Sequence, residues 1–320
     1  MNGGVAPEAI ELFRLGRAKE AMDLLGPAAR GGDAGALELL AELALAGEIV
    51  ERDLPLSRNL YARAAQAGSA SAAATYRAFV ANGTGGLRDW PLALRLLDEA
   101  APRDPDAARE LAVIKSMPLN SDGEPMGQLA SDQVSSSPDV RLFPKLFTPE
   151  ECDFLVERSQ PLLRPSVVVD SQTGEQLSNP VRTSDSVAFP LMAESPAIHA
   201  LCRRLAAASS TDVEHGEPIQ VLRYASGQEY RPHFDAIEGE PNQRVLTFLV
   251  YLNDDFEGGE TEFLATGLKI KGAKGDGLLF RNADAFGAPD PASRHAGLPV
   301  VTGEKYLASR WIRRRPMIAR

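Results

Sequence analysis

The chain is poor in basic charge, cysteine, histidine and long apolar runs. Its 320 residues hold 34 lysines and arginines against 44 aspartates and glutamates, a net charge of −10. A nucleic-acid binder presents a basic surface, so no nucleic-acid partner is expected. The one basic cluster, Arg310 with Arg313 to Arg315, reads as a solvated last strand and tail. Cys152 and Cys202 lie among apolar neighbours in helix-like segments, which predicts two buried free thiols rather than a disulfide. No apolar run approaches the ~18 residues of a membrane span, so no membrane association is expected. The N-terminal Met1-Asn-Gly-Gly-Val-Ala-Pro-Glu8 lacks a basic stretch followed by an apolar one. No signal peptide is expected there, and the cytoplasm is the default location. Histidine occurs only at 199, 215, 233 and 295.

What is present suits a soluble globular protein: 44% hydrophobic and 24% charged residues, in a chain long enough for two domains. Residues 1–115 are rich in alanine and leucine and repeat themselves. Ala28-Ala29-Arg-Gly-Gly-Asp-Ala34 returns as Ala64-Ala65-Gln-Ala-Gly-Ser-Ala70 and, degraded, from Ala100 to Asp106. Arg52-Asp53-Leu-Pro55-Leu56 returns as Arg88-Asp89-Trp-Pro91-Leu92. Both series share a period of 36 residues, which predicts an α-helical solenoid of helical hairpins. Leu24, Leu60 and Leu96 are expected at equivalent core positions. The phrases resemble Sel-like repeats, relatives of the tetratricopeptide family. That resemblance implies a concave face for peptide or protein; packing on the next domain or dimerisation is the alternative.

Residues 116–139, with Pro118, Asn120, Gly123, Pro125 and Ser135-Ser-Ser-Pro138, read as a linker, with packing against either neighbour left open. A second domain is expected over 140–320. Thr148-Pro149-Glu150-Glu151 is a capping box opening a helix to about Ser159. Val167 to Pro180 reads as a strand and a loop, and Ser195-Pro196 opens another helix. From Glu217 the pattern turns to short strands between Gly, Asp and Asn turns. Arg244 to Leu252 is a near-continuous apolar run and so a buried central strand. The set predicts a double-sheet jelly roll with flanking helices.

The stretch Tyr224-Ala-Ser-Gly-Gln-Glu-Tyr230-Arg-Pro-His233-Phe-Asp235 carries a His-x-Asp pair at a strand end. Residues i and i+2 of a strand share a face, so His233 and Asp235 can offer a nitrogen and an oxygen to one point. Two histidines and a carboxylate on one face of a metal is the arrangement of non-haem Fe(II) oxygenases. Alone the pair is weak. A strand–turn–strand could return His295 to it, whereas His199 and His215 read as structural or solvent-exposed. Lys305 is expected on the next stretch of the same sheet. A lysine pointing into a barrel carries an uncompensated charge unless an anion binds there, and a dicarboxylate would serve.

His233-x-Asp235, His295 and Lys305 together resemble the 2-oxoglutarate- and Fe(II)-dependent oxygenases of the prolyl 4-hydroxylase type. So do Tyr224 and Tyr230 before the pair, Gln243-Arg244, Tyr251-Leu-Asn253, Gly258-Gly-Glu-Thr261-x-Phe263, His295-x-Gly-x-Pro-Val300 and Trp311-Ile312. The resemblance spans about residues 140–315 and implies a double-stranded β-helix. It further implies that His233, Asp235 and His295 bind Fe(II) and that Lys305 pairs with the distal carboxylate of 2-oxoglutarate. Tyr224, Tyr251 and Thr261 are implied around that cosubstrate, with dioxygen consumed, succinate and carbon dioxide released, and ascorbate a candidate reductant. Glu217, Tyr230, Arg244 and Trp311 look like peptide contacts, and the loop from about Val168 to Ser184, with Arg182, like a peptide-closing loop. Tyr251 and Trp311 read alternatively as plain core, and Glu217 with Arg244 as a surface ion pair.

The reading is a hydroxylase of a peptide or protein, at proline, whose repeats help capture the substrate. The alternatives are a hydroxylase of a free amino acid or other small molecule with repeats for assembly only, and a non-catalytic interaction protein.

Overall fold

The computed structural model describes residues 4–169, 176–178, 181–284 and 286–317. Seven helices come first: α1 (Ala6–Arg14), α2 (Ala18–Arg30), α3 (Ala34–Ala46), α4 (Leu54–Gln66), α5 (Ala70–Asn82), α6 (Trp90–Ala100) and α7 (Pro105–Ser116). The repeated phrases are their punctuation. Asp53 and Asp89 cap α4 and α6 by accepting from Leu56 N and Leu92 N, each with a proline in the first turn. Gly47 and Gly83 end α3 and α5 at φ 75° and 82°, where a Cβ would meet the Arg52 or Arg88 side chain at 2.8 Å. Leu60 is buried, but Leu24 and Leu96 are only half-buried. The deepest shared position is one residue further on, at Leu25, Tyr61 and Leu97. A register slip of one residue turns a helix by about 100°, which sequence equivalence cannot resolve.

The second half begins with β1 (Asp132–Ser136), β2 (Asp139–Phe143), α8 (Pro149–Ser159), β3 (Arg164–Pro165), β4 (Val167–Val169), β5 (Gln176–Ser178), β6 (Asp185–Ala188) and α9 (Pro196–Ser209). It continues through β7 (Gln220–Tyr224), β8 (Tyr230–His233), β9 (Arg244–Tyr251), β10 (Glu257–Gly258), β11 (Thr261–Phe263), β12 (Leu268–Ile270), β13 (Gly277–Arg281), β14 (His295–Gly297), β15 (Val300–Thr302) and β16 (Lys305–Arg313). The large sheet runs β1-β2-β13-β9-β16-β7-β6-β3, and the small one β12-β11-β14-β8. Two facing antiparallel sheets with flanking helices make the two-domain α + β molecule with a double-stranded β-helix. The capping box at Thr148 is present, and both cysteines are buried and free.

Strand alternation sorts the core. Val221, Phe248, Val250, Leu279, Tyr306 and Ala308 pack outward against α8 and α9. Leu222, Tyr224, Leu249, Tyr251, Leu278, Phe280 and Leu307 point inward and fill the barrel. The same outward core takes in Trp90, Ala93, Leu97, Leu111 and Ile114, so α6 and α7 are part of it. Polar ties reinforce the join: Asn82 Nδ2 donates to Leu191 O at 2.9 Å, and Glu110 Oε1 accepts from Ala197 N at 2.8 Å.

The segment 116–139 packs on its neighbours, as its composition left open: Arg203 donates to Asp122 O and pairs with Glu124, and β1 extends the large sheet against β2. Its turn residues close on one another, Asn120 N donating to Glu124 O and Gly123 N to Asn120 O, and a Cβ at Gly123 would meet the Trp90 ring. One expectation needs correcting. The basic C-terminal cluster is not simply solvated. Arg310 is fully buried, donating to Cys202 O, Val213 O and Glu217 O, and Arg313 pairs with Glu217. Strand parity turns Arg310 to the outer face of β16, beside Tyr306 and Ala308, where its guanidinium reaches Cys202 O of α9 and the carbonyls of Val213 and Glu217. Much of the loop expected from Val168 to Ser184 falls outside the described residues; β4 and β5 form an antiparallel pair within it.

Candidate active site

β8 and β14 pair antiparallel with His233 directly opposite His295. β8 ends at His233, and the chain turns so that Asp235, two residues on, reaches the same point. Ligand atoms of His233, Asp235 and His295 all lie within 4.8 Å of one another. His233 Nε2 is 3.5 Å from Asp235 Oδ1, and His295 Nε2 is 3.7 Å from Asp235 Oδ2. His233 Nδ1 donates to Arg231 O at 2.8 Å and His295 Nδ1 to Ser293 O at 2.9 Å. Those bonds assign the proton to Nδ1 in each ring and leave the Nε2 lone pairs facing inward. His233 Nε2 is buried without a hydrogen-bond partner.

The surroundings favour the coordinating forms. Burial pushes the His295 imidazolium down to about 4, so the ring is neutral at neutral pH. Burial acts against the Asp235 carboxylate, but the two histidines and Thr247 outweigh it and hold its pKa below the ordinary range. Thr247 Oγ1 donates to Asp235 Oδ2 at 2.6 Å and accepts from Asn282 Nδ2 at 2.7 Å. This chain orients the carboxylate. Tyr230 stacks on the His233 ring, centroids 3.4 Å apart, and Phe263 and Phe280 flank His295.

Lys305 opens β16 opposite Tyr224, and the inward parity of β16 places Lys305, Leu307, Ser309 and Trp311 along one cavity with His233, Asp235 and His295. The Lys305 ammonium is buried. It donates to Gly259 O at 2.7 Å and lies 5.6 and 5.5 Å from the centroids of the Tyr224 and Tyr251 rings. No described ion pair engages it, and burial pulls its pKa down to about 8. Gly259 adopts φ +68°, and a Cβ there would meet Lys305 Cδ at 3.2 Å. Tyr251 Oη donates to Ile270 O at 3.1 Å and lies 3.3 Å from Thr261 Oγ1.

The donor set of two neutral imidazoles and one carboxylate suits a divalent iron, with open positions on one side. The buried ammonium in the same cavity, bonded to a neutral carbonyl and in no described ion pair, suits a carboxylate. Both groups therefore fit the residues present.

The description "2OG-Fe(II) oxygenase superfamily" matches residues 219–313. Prolyl 4-hydroxylase 1 of Arabidopsis thaliana is 38% identical over 209 residues, covering 59% of this chain and 74% of that protein. The chain belongs to the prolyl 4-hydroxylase-type 2OG-Fe(II) oxygenases. Probable prolyl 4-hydroxylase 3 of the same plant is 33% identical over 239 residues, 67% of this oxygenase and 82% of that protein. A viral collagen prolyl hydroxylase from Paramecium Bursaria Chlorella virus-1, solved as its 2OG complex, superposes with a TM-score of 0.44 at 27% identity, covering 56% of this oxygenase and 98% of that chain. The oxygenase is a 2-oxoglutarate-dependent dioxygenase, which sets aside the non-catalytic alternative.

The other expected site residues are distributed as follows. Tyr224, Tyr230, Thr261 and Trp311 line the cavity. Tyr251 is fully buried beside Thr261. Glu217 and Arg244 are not an exposed surface pair. The Glu217 carboxylate accepts two bonds from Arg244, at 2.6 and 2.8 Å, and one from Arg313 at 2.6 Å. The Arg244 guanidinium lies 3.8 Å over the Trp311 ring. Glu217 is thus saturated by arginines and positions Arg244. His199 is wholly buried with Nδ1 2.5 Å from Glu194, and His215 Nδ1 bonds Arg313 O at 3.0 Å. Thr247 and Asn282 were not anticipated. The available signal was a hydroxyl in an apolar strand run, since a buried hydroxyl requires a partner.

Proposed function

We propose that the oxygenase hydroxylates a peptide or protein substrate at proline. In this reading His233, Asp235 and His295 hold Fe(II), and Lys305 binds the distal carboxylate of 2-oxoglutarate. Bound Fe(II) and 2-oxoglutarate, with dioxygen, supply the oxidising power that inserts one oxygen atom into a C–H bond, with succinate and carbon dioxide released. The chain's own work is positioning. Arg231 O and Ser293 O keep the two imidazoles turned inward, and Thr247 leaves Asp235 Oδ1 free. Lys305 aligns the cosubstrate along the barrel, beside Tyr224, Tyr251 and Thr261. The apolar shell of Leu222, Leu249 and Leu307 excludes water. Arg244 and Trp311, held by Glu217, form a cation–aromatic wall for a polypeptide, and Tyr230 covers the ligand edge. Ascorbate serves as the external reductant.

The observation that carries the reading is the buried ammonium of Lys305 in one cavity with three converging ligand atoms. Any capture of substrate by the repeats falls to α1–α4, because α6 and α7 are committed to the oxygenase core. The test is aerobic incubation with Fe(II), 2-oxoglutarate and ascorbate, with and without prolyl peptides. Succinate formation together with a gain of one oxygen at proline is expected. Succinate that responds only to free amino acids would favour the small-molecule alternative.

A further inference from the structure

Three polar groups cluster on the inner wall of the large sheet, and no described residue is hydrogen-bonded to any of them. The inward parity of β16 puts Ser309 and Trp311 in the cavity with the three ligand residues. Ser309 is 3% exposed and Trp311 7%. Trp311 Nε1 is buried without an acceptor, and no described hydrogen bond engages the Ser309 hydroxyl. Gln220 pairs directly opposite Ser309 across β7, on the face that carries Leu222 and Tyr224. Its Oε1 is likewise buried without a donor. On the far side of Gln220 the ladder continues to Ala188 of β6, a small and exposed residue that leaves the wall open.

A buried polar atom without a partner is costly, and native proteins keep few of them. His233 Nε2, which faces the metal position, is enclosed in the same way. Unpartnered groups gathered beside it mark a place where a ligand supplies the missing bonds. The set calls for one group that both accepts and donates: the indole N–H and the serine hydroxyl offer protons, and Gln220 Oε1 takes one. A carboxylate only accepts, and Lys305, the partner for 2-oxoglutarate, lies two inward positions away along β16. A secondary amide does both. We propose that Gln220, Ser309 and the Trp311 N–H form a specificity subsite that reads one backbone peptide group of the substrate polypeptide. The proposal rests on the polypeptide reading above. Strands lie ~4.8 Å apart and an extended chain advances ~3.3 Å per residue, so a chain crossing from β16 to β7 brings its next peptide groups to Gln220. The bond before a proline has no N–H, so the group read is another within two residues of it. A free amino acid carries no such group.

The test uses the full chain with Fe(II) and 2-oxoglutarate, and a short peptide with one central proline. Its peptide groups are replaced one at a time by esters, which lack the N–H. KM and kcat for hydroxylation are measured for the wild type, Gln220→Met and Ser309→Ala, together with the Tm and the anaerobic calorimetric affinity for 2-oxoglutarate. With the wild type, one ester position is expected to raise KM about tenfold while the others change little. Gln220→Met should raise KM for the all-amide peptide by the same factor and abolish the sensitivity to that ester, as a shared bond requires. Ser309→Ala should also raise KM. The Tm of both variants should hold or rise, because each substitution deletes an unpartnered polar group. Esters tolerated at every position, or losses from variant and ester that simply multiply, overturn the subsite and leave the polypeptide reading standing. A lower Tm in both variants assigns these groups to the fold, and a matching loss of 2-oxoglutarate affinity assigns them to the cosubstrate; either overturns the subsite. A wild type that hydroxylates no peptide overturns both readings.

Discussion

Lys305 brings a positive charge into the barrel, where its one hydrogen bond is to the neutral carbonyl of Gly259. Its pKa falls from 10.5 to about 8 through burial. At ~1.36 kcal/mol per pKa unit the folded protein carries a penalty of about 3 kcal/mol. The folded value lies below the unfolded one. The penalty is therefore full below pH 8 and fades as pH rises from 8 towards 10.5. Lys305→Met should raise the Tm of the cosubstrate-free protein at pH 7 by a few degrees and abolish the further rise on adding 2-oxoglutarate. A lower Tm for the variant would contradict this. The same titration predicts that calorimetric affinity for 2-oxoglutarate falls about tenfold from pH 7 to pH 9, because the carboxylate must meet an ammonium. A pH-independent affinity would remove Lys305 from that role. Thr247→Val keeps shape and deletes the donor to Asp235. Fe(II) affinity measured anaerobically should fall by about 10-fold or more with the fold intact. Lys305 announced itself in the sequence by its place after His295; Thr247 did not, since its partners Asp235 and Asn282 come together only across strands.

Single elements decide which residues serve the site. In β16 both faces are buried from Lys305 to Ile312, and the polar Lys305, Ser309 and Arg310 fall on both of them, so no alternation in the sequence tells one face from the other. Pairing with β7 and β9 sets the parity, sending Lys305 and Trp311 into the cavity and Arg310 onto α9. The helix α9 depends on a residue from the repeats: Glu110 of α7 accepts from Ala197 N in its first turn. Burial raises the Glu110 pKa. Ionised Glu110 therefore weakens the fold at neutral pH, and the weakening disappears as the carboxyl protonates in acid. Glu110→Gln retains an acceptor without the charge and should raise Tm at pH 7, the gain vanishing towards pH 4. Glu110→Ala should lower Tm at both pH values, through loss of a cap that contributes ~1 kcal/mol. Equal effects of the two substitutions would refute the capping role.

At the scale of the whole molecule the repeats and the oxygenase share one apolar core. Trp90, Leu97, Leu111 and Ile114 pack in the same cluster as Phe154, Ile198, Leu201 and Phe248. Removing residues 1–115 would uncover that cluster, so the shortened protein should bind a hydrophobic dye and lose its cooperative unfolding transition. A soluble, active and cooperatively folding remnant would show the repeats to be dispensable for structure. The 36-residue period, the capping residues and the strand pattern were legible because each is a local signal: a cap, a turn or an alternation reads within a few residues. The metal-facing trio and Lys305 were legible through residue types that a barrel interior rarely tolerates. The pairing of β8 with β14, the saturation of Glu217 by two arginines and the turn of Arg310 onto α9 were not. Those are decided by which strands become neighbours and which face of each strand a helix covers, and no local stretch carries that information. The sequence alone determined the chemistry available to this protein; the tertiary structure decided which side chains meet to perform it, because burial and cross-strand register exist only once the chain has closed on itself.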